Sequence, residues 1–257
     1  MPRRLLVSED DTRKIVRPIT QVTPYYNNPY MLKLHIKNWL EYPLDMMQQF
    51  KVIIVDDGSK SYTAHSVLKG APEFLRSRMR LFRVTKDIPW NQHGARNLGA
   101  KMADTEWLWM ADMDRVMLYP WMRKAMSVKL EQRPYVARGL DRGNDLAKVD
   151  KPKMTNQFFV PKKVYWDAGG YDEFYCGTYG CDGEFFMAME EVSDLMTYLP
   201  GVYHFRYGTG VVEDCTTDMD RNEIYKPLHR EKVLEKRVAG KKLMVEPINF
   251  PWEEIKL

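Results

Sequence analysis

Cysteine is scarce in this sequence: three in 257 residues, Cys176, Cys181 and Cys215, an odd number that cannot pair completely. A disulfide framework is excluded as the organising principle, and a reducing compartment is expected. Long apolar runs are also absent. The longest, Val52–Val55 and Trp107–Ala111, fall far short of the roughly 20 residues a membrane span needs. The opening MPRRLLVSED follows its two arginines with only a short apolar step, so no signal-peptide core is expected. A soluble, cytoplasmic chain without a membrane span is the expectation. Charge of one sign is lacking too: 39 Lys+Arg against 35 Asp+Glu leaves +4, too little for a protein that coats nucleic acid along its whole length. No internal repeat occurs, and 44% hydrophobic residues with a mean hydropathy of -0.51 describe an ordinary globular chain, long enough for one large domain.

What is present is an alternation of short β-branched runs with amphipathic stretches, the rhythm of an α/β domain with a largely parallel sheet. Ile19–Thr23 reads as a first strand and Pro24–Asn27 as the loop after it. Asn28 then caps a helix with Pro29 at its favoured first position, and Leu32, Ile36, Trp39 and Leu40 mark its apolar face. Lys51–Val55 reads as a second strand, covered on both faces, and it ends in Asp56-Asp57-Gly58-Ser59. Leu81–Val84 is a third, Gly94–Ala103 a helix, and Glu106–Ala111 a fourth strand ending in Asp112-Met113-Asp114. Helix is expected over Trp121–Leu130 and Glu184–Met196, strand over Asn156–Val160 and Val202–Phe205. A polar loop is expected at Arg142–Lys153, and a charged helix with an extended end from Met219 onward.

The acidic clusters therefore fall at the carboxyl ends of neighbouring strands, where open α/β sheets bind ligands. Two carboxylates one residue apart, Asp112 and Asp114, suit Mg²⁺ or Mn²⁺, hard cations that keep places for phosphate oxygens; alone, such a triplet reads more readily as a solvated turn, and its place after Trp107–Met110 beside a second acidic loop reverses that order. Asp56 and Asp57 offer acceptors for base N–H or ribose hydroxyls, with Gly58 allowing the tight exit, though Asp-Gly-Ser also makes a plain turn. Gly94-Ala95-Arg96-Asn97-Leu98-Gly99 matches neither a P-loop nor a dinucleotide fingerprint; Arg96 at a helix start instead favours a diphosphate. Gly169-Gly170-Tyr171-Asp172 through Asp182 sets glycines among aromatics, and its late acid suits a general base or a helix cap. His204 is a candidate third metal ligand, and Trp90, Tyr175 and Tyr179 are candidates for stacking on sugar rings. From Trp121 to Lys163 eleven Lys/Arg face four Asp/Glu, a local excess that reads as a solvated basic face or a nucleic-acid surface.

Taken in order, Pro24-Tyr25-Tyr26-Asn27, Val52–Ser59, Gly94–Gly99, Asp112-Met113-Asp114 and the Gly169–Asp182 block resemble a glycosyltransferase of the GT-A fold, most similar to the family 2 group. The resemblance implies a Rossmann-like, mostly parallel sheet with helices on both faces and a small antiparallel addition on the acceptor side. It implies one domain over 1–257: a nucleotide-sugar half at about 15–114, an acceptor and catalytic half at about 115–215, and a helical tail at 216–257. Pro24, Tyr26, Asp56, Asp57, Arg96, Asp112 and Met113 would bind the nucleotide sugar, a UDP-sugar by preference. Asp112 and Asp114, with His204, would hold Mn²⁺ or Mg²⁺. Asp182 would be the catalytic base of an inverting enzyme, and Gly170, Tyr171 and Tyr179 would line the acceptor site, whose segment also resembles the β-1,4-galactosyltransferase and polypeptide N-acetylgalactosaminyltransferase groups.

The processive synthases' Gln-x-x-Arg-Trp does not occur, which implies transfer of a single sugar. Cys181 and Gly183 flank Asp182 where a second acid is usual in the family. The acceptor is expected to be a saccharide, a glycoconjugate or a modified DNA base. The alternatives are a retaining transferase, for which Asp182 positions the acceptor, and a binding module for sugar nucleotides or nucleic acid.

Overall fold

The computed structural model describes residues 13–141, 156–178, 182–194, 196–207, 221–239 and 246–257. In chain order the elements are β1 (Ile19–Tyr25), α1 (Pro29–Leu40), α2 (Leu44–Met47), β2 (Phe50–Asp56), α3 (Ala64–Leu68), α4 (Glu73–Arg76), β3 (Met79–Val84), α5 (Gln92–Met102), β4 (Trp107–Met110), β5 (Arg115–Val116), α6 (Tyr119–Ser127), β6 (Tyr135–Asp141), β7 (Phe158–Pro161), α7 (Lys162–Asp167), α8 (Asp182–Val192), β8 (Thr197–Arg206), α9 (Arg221–Ala239) and β9 (Trp252–Ile255). A 3₁₀ turn covers Glu173–Tyr175.

The described strands form one sheet in the order β5-β8-β6-β7-β4-β1-β2-β3-β9. Its centre, β4-β1-β2-β3, is parallel, with Val22 of β1 registered between Ile53 and Met110. Antiparallel pairings of β7 with β4 and β6, of β5 with β8, and of β9 with β3 surround it. Every residue of β1 and β4 is buried, because helices cover both faces. On one face Met31, Leu32 and Trp39 of α1 pack in a layer with Trp107, Trp109 and Phe159. On the other, Leu98 of α5, Tyr165 of α7 and Phe185 of α8 pack with Val22, Val55 and Leu108.

The first helix starts as the sequence predicts: Asn28 Oδ1 accepts from Met31 N at 3.2 Å, and Pro29 follows. Its buried face is turned from the predicted one and consists of Met31, Leu32, His35, Asn38 and Trp39, while Leu40 is exposed. The reason is polar. His35 Nε2 donates to the Met113 carbonyl at 2.9 Å, and Asn38 Nδ2 donates to that of Met117 at 2.8 Å, so α1 fastens the segment after β4.

Strand β1 extends through Pro24 to Tyr25, where the sequence suggests a loop. A proline is tolerated there because β4 pairs with β1 only as far as Val22, so no ladder bond on that side needs the missing N–H. Three elements were not expected as strands: the short β5, which pairs with β8; β6, which runs parallel to β8; and β9, in which the extended end closes the β3 edge with Leu81 opposite Ile255. The loop expected at Arg142–Lys153 lies outside the described residues. Among the described residues no helix is long and apolar enough to cross a membrane.

Candidate active site

Both acidic clusters sit at the carboxyl edge of the parallel strands, on either side of β1. At the β2 end the two carboxylates differ in role. Asp56 spends both oxygens on its own loop, accepting from Ser59 N at 2.9 Å and Ala64 N at 2.8 Å, so it shapes the turn and starts α3 instead of facing a ligand. Gly58 makes that turn at φ 77°, a conformation open to glycine. Asp57 is buried, and Oδ1 accepts from Asn91 Nδ2 at 3.1 Å. Burial pushes its pKa up to about 7, against the Asn91 bond, and the Asp56 and Asp87 charges raise it further. Tyr26 lies within electrostatic reach of both acids: burial raises its pKa, and the charges of Asp87, Lys60, Asp57 and Asp56 all act on it. Pro24 lies in strand β1 opposite Val55, one residue before the Tyr25 carbonyl that accepts from Asp57 N at 2.8 Å.

At the β4 end, Asp112 is enclosed by donors. Gln92 Nε2 reaches Oδ1 at 2.8 Å, Arg96 donates to the same oxygen and Asn156 to Oδ2, while Gln157 holds the Asp112 backbone N–H at 3.1 Å. Burial pushes Asp112 up to about 6, with Arg96 opposing. Arg96 itself is fully buried in α5, 4.8 Å over the Tyr171 ring, and its other terminal nitrogen donates to Asp182 Oδ1 at 2.8 Å. Burial opposes its charge, but Tyr171, Asp112 and Asp182 outweigh that and raise its pKa well above that of a free guanidinium. Arg96, expected beside the base or diphosphate, thus lies buried between the two acids.

Asp182 opens α8 and is 30% exposed. Its Oδ1 also accepts from the Tyr171 hydroxyl at 3.3 Å, and Oδ2 has no partner among the described residues. The loop before it depends on Gly170, at φ 72°, where a Cβ would lie 2.7 Å from Asn97 Oδ1. That oxygen accepts from Tyr171 N at 2.9 Å and from the Tyr165 hydroxyl at 2.7 Å, so Asn97 of α5 sets the loop's entry.

For a divalent cation the fitting donor is Asp114, 37% exposed, which among the described residues pairs with Arg115 at 3.2 Å. Asp112 already has both oxygens engaged. A partly exposed carboxylate suits Mg²⁺, which takes few protein ligands and completes its shell with phosphate and water, and Mn²⁺ shares its preference for oxygen ligands. Among the described residues no group of three His, Cys, Asp or Glu forms a closed metal cage. His204 does not join the acids, which corrects the sequence expectation. It is buried in β8 with Nε2 3.4 Å from Arg115 Nη1, so a cation already occupies the face a metal would need. Burial, then the Arg115 and Arg206 charges, lowers its pKa well below the usual histidine range.

Met113 serves through its carbonyl, held by His35. Tyr179 lies outside the described residues. Tyr175 is buried, so core packing and not sugar stacking accounts for it. Of the basic segment, Arg123 is buried and paired with Asp45 at 2.7 and 2.8 Å, and Arg138 stacks 4.8 Å from Tyr198, so two of its cations are engaged within the fold. The sequence reading missed Asn91, Gln92, Asn156 and Gln157, amides that orient the acids. The one available signal is the polar run Asn91-Gln92-His93 just before Gly94.

A parallel sheet with two acidic pairs at the carboxyl edge of its neighbouring strands, and a late acid opening a helix beside them, is the arrangement of the GT-A class of glycosyltransferases. The family model for glycosyl transferase family 2 matches residues 20–193, and the chain belongs to that family. No curated protein matches by sequence comparison. Solved structures share the fold. S. aureus TarS 1-349 in complex with UDP-GlcNAc is 13% identical with a TM-score of 0.62, the match covering 74% of this chain and 59% of that one. The mannosyltransferase PcManGT of Pyrobaculum calidifontis, in complex with GDP-Man and Mn²⁺, is 11% identical with a TM-score of 0.55, over 76% of this chain and 59% of that one. GalNAc-T7 with UDP, GalNAc and Mn²⁺ is 13% identical with a TM-score of 0.59, over 74% and 44%. The chain spans less than two thirds of each of these structures.

Proposed function

We propose that this protein is a metal-dependent glycosyltransferase that moves one sugar from a UDP-sugar to a hydroxyl of a saccharide or glycoconjugate, with inversion at the anomeric carbon. The observation that carries this reading is the Arg96 guanidinium, which bonds Asp112 and Asp182 together. It joins a carboxylate of the donor half, residues 15–114, to one of the acceptor half, residues 115–215, as transfer between two substrates requires. Asp57 and Tyr26, with the backbone at Pro24, would receive the base, and Asp112 and Met113 the ribose and diphosphate side. Gly170 and Tyr171, with Tyr179, would face the acceptor. UDP-GlcNAc, GDP-Man and Mn²⁺ in the structural relatives support a nucleotide-sugar donor and a divalent cation.

In the proposed reaction Asp182 Oδ2 takes the proton of the acceptor hydroxyl, and that oxygen forms the new bond to the anomeric carbon from the face opposite the diphosphate. The bond from the anomeric carbon to the diphosphate oxygen breaks, and the electron pair leaves with the nucleotide. Arg96 and Tyr171 hold Asp182 Oδ1 still, leaving Oδ2 for the proton. Asp114 would hold Mn²⁺ or Mg²⁺, which when bound neutralises charge gathering on the leaving diphosphate.

Thermal melts with UDP-GlcNAc, UDP-glucose, UDP-galactose and GDP-mannose, each with and without Mn²⁺, test the assignment. A donor that binds only the folded state raises the melting temperature, by the equivalent of about 2.7 kcal/mol at a hundred times its Kd. At least one donor is expected to do so, more strongly with Mn²⁺, and Asp114→Ala is expected to lose the metal-dependent part. No shift with any donor and metal would overturn the reading, and NMR of the product's anomeric proton decides inversion against retention.

Asp57 adds a pH dependence. A protonated carboxyl keeps an acceptor oxygen, but the ionised form accepts more strongly from a base N–H, so with a pKa near 7 the affinity for uridine, which carries no phosphate to titrate, is expected to be weaker at pH 6 than at pH 8, by up to about ten-fold. A flat affinity by calorimetry over this range would remove Asp57 from the pocket. For stability the sign is opposite. A carboxyl whose pKa is raised in the folded state destabilises the fold as pH climbs from the ordinary aspartate range through about 7.

A further inference from the structure

The loop from Tyr171 to Thr178, which leads to Asp182, is gripped by a helix outside the family-matched residues 20–193. Lys232 of α9 places Nζ 2.7 Å from the Phe174 carbonyl and 2.8 Å from that of Cys176, and 5.2 Å over the Phe174 ring. Phe174 lies inside the 3₁₀ turn Glu173–Tyr175 and Cys176 is its C-cap, so one ammonium donates to the turn and to the residue that ends it. One helical turn on, Lys236 pairs with Asp172, the residue whose side chain caps the same turn. Across the loop, the Cys176 thiol donates to Asn91 Oδ1 at 3.2 Å, and Asn91 Nδ2 is the donor to Asp57. The loop is thus held between α9 on one side and the nucleotide pocket on the other.

We propose that Lys232 is a positioning residue that clamps the acceptor loop against the Asn91–Asp57 pair; this rests on the reading of that loop as the acceptor side. Two backbone carbonyls two residues apart are bridged by a single ammonium, so the ammonium fixes the loop's path independently of the side chains it presents. Neutralising Lys232 leaves both carbonyls without their shared donor while the Asn91–Asp57 pair stays intact. The loop then parts from α9, and the Cys176 thiol leaves its half-buried place beside Asn91.

The test uses the full chain carrying Cys181→Ser and Cys215→Ser, so that Cys176 is the sole thiol, and measures its labelling by an aromatic disulfide reagent. A thiol that is buried and shielded reacts slowly, and release restores ordinary reactivity. Lys232→Met is expected to raise the labelling rate about ten-fold or more. Lys232→Arg, whose fork also donates to two acceptors, is expected to stay within about two-fold of the parent. The melting temperature and the affinity for UDP with Mn²⁺ are expected to be unchanged in both, which separates positioning from general stability. Labelling of Lys232→Met at the parent rate, or equal acceleration by methionine and arginine, overturns the proposal. The labelling is read without nucleotide, so failure to bind UDP counts against the transferase reading and not against the clamp.

Discussion

An Asp182→Asn protein is expected to fold normally and to lose transfer by about 10²- to 10⁴-fold, the usual contribution of a general base. The amide is nearly isosteric, and its oxygen still accepts from the Arg96 guanidinium and the Tyr171 hydroxyl, which in the native chain reach Oδ1. What changes is Oδ2, which becomes an NH₂ group that donates and cannot take a proton. The measurement is the rate of nucleotide release at saturating donor, metal and acceptor, with melting temperature and UDP affinity as controls. Turnover within about ten-fold of the native rate would leave Asp182 a role in positioning only, as in a retaining enzyme.

Arg96→Met is expected to give the largest loss of stability of any substitution in the site. Removing one partner of a buried ion pair costs about 3–5 kcal/mol, or on the order of 10 °C in melting temperature for a chain of this size. Asp112 would lose the cation that opposes its burial, and Asp182 would lose its anchor, so transfer should fall with stability. Arg96→Lys is expected to recover little, since a compact ammonium on a flexible stem cannot span both carboxylates in the geometry of the guanidinium fork. Combining Arg96→Met with Asp112→Asn should restore part of the stability, because a neutral amide no longer needs a cation. Strict additivity of the two single losses in thermal melts would show that the pair is not energetically coupled.

Much of the fold's frame was legible because it rests on local pattern. Asn28-Pro29 starts α1, unbroken apolar runs make β2 and β4, and Asp56-Asp57 and Asp112–Asp114 end them, as buried parallel strands dictate. Strand β6 was not legible, since Arg138 and Gly139 interrupt its apolar residues and its parallel partner β8 lies far along the chain. Strand β9 carries Glu253 and Glu254, as an edge strand can, and so resembles a polar tail. Within the site the acids could be read from their place at strand ends, but their division of labour could not. Asp56 and Asp57 are neighbours of identical chemistry, and only the amides of Ser59 and Ala64 make one structural and leave the other to the pocket. Arg96 had a chemical signature but no address until Tyr171, Asp112 and Asp182 were seen around it. Side-chain amides such as Asn91 and Asn156 act through single long-range contacts, which leave no period in a sequence.

The pairing of β9 with β3 joins Arg80 to Glu254 by two bonds of 2.7 and 3.0 Å across 174 residues of chain. During synthesis from the N-terminus, β1 to β3 therefore emerge long before the β3 edge can be closed by β9. Until residues 252–255 have been made, β3 presents a row of unpaired backbone groups to any neighbouring nascent chain. The interval during which this edge stays open is thus the time translation takes to run from β3 to β9, a hazard of timing that the finished sheet conceals.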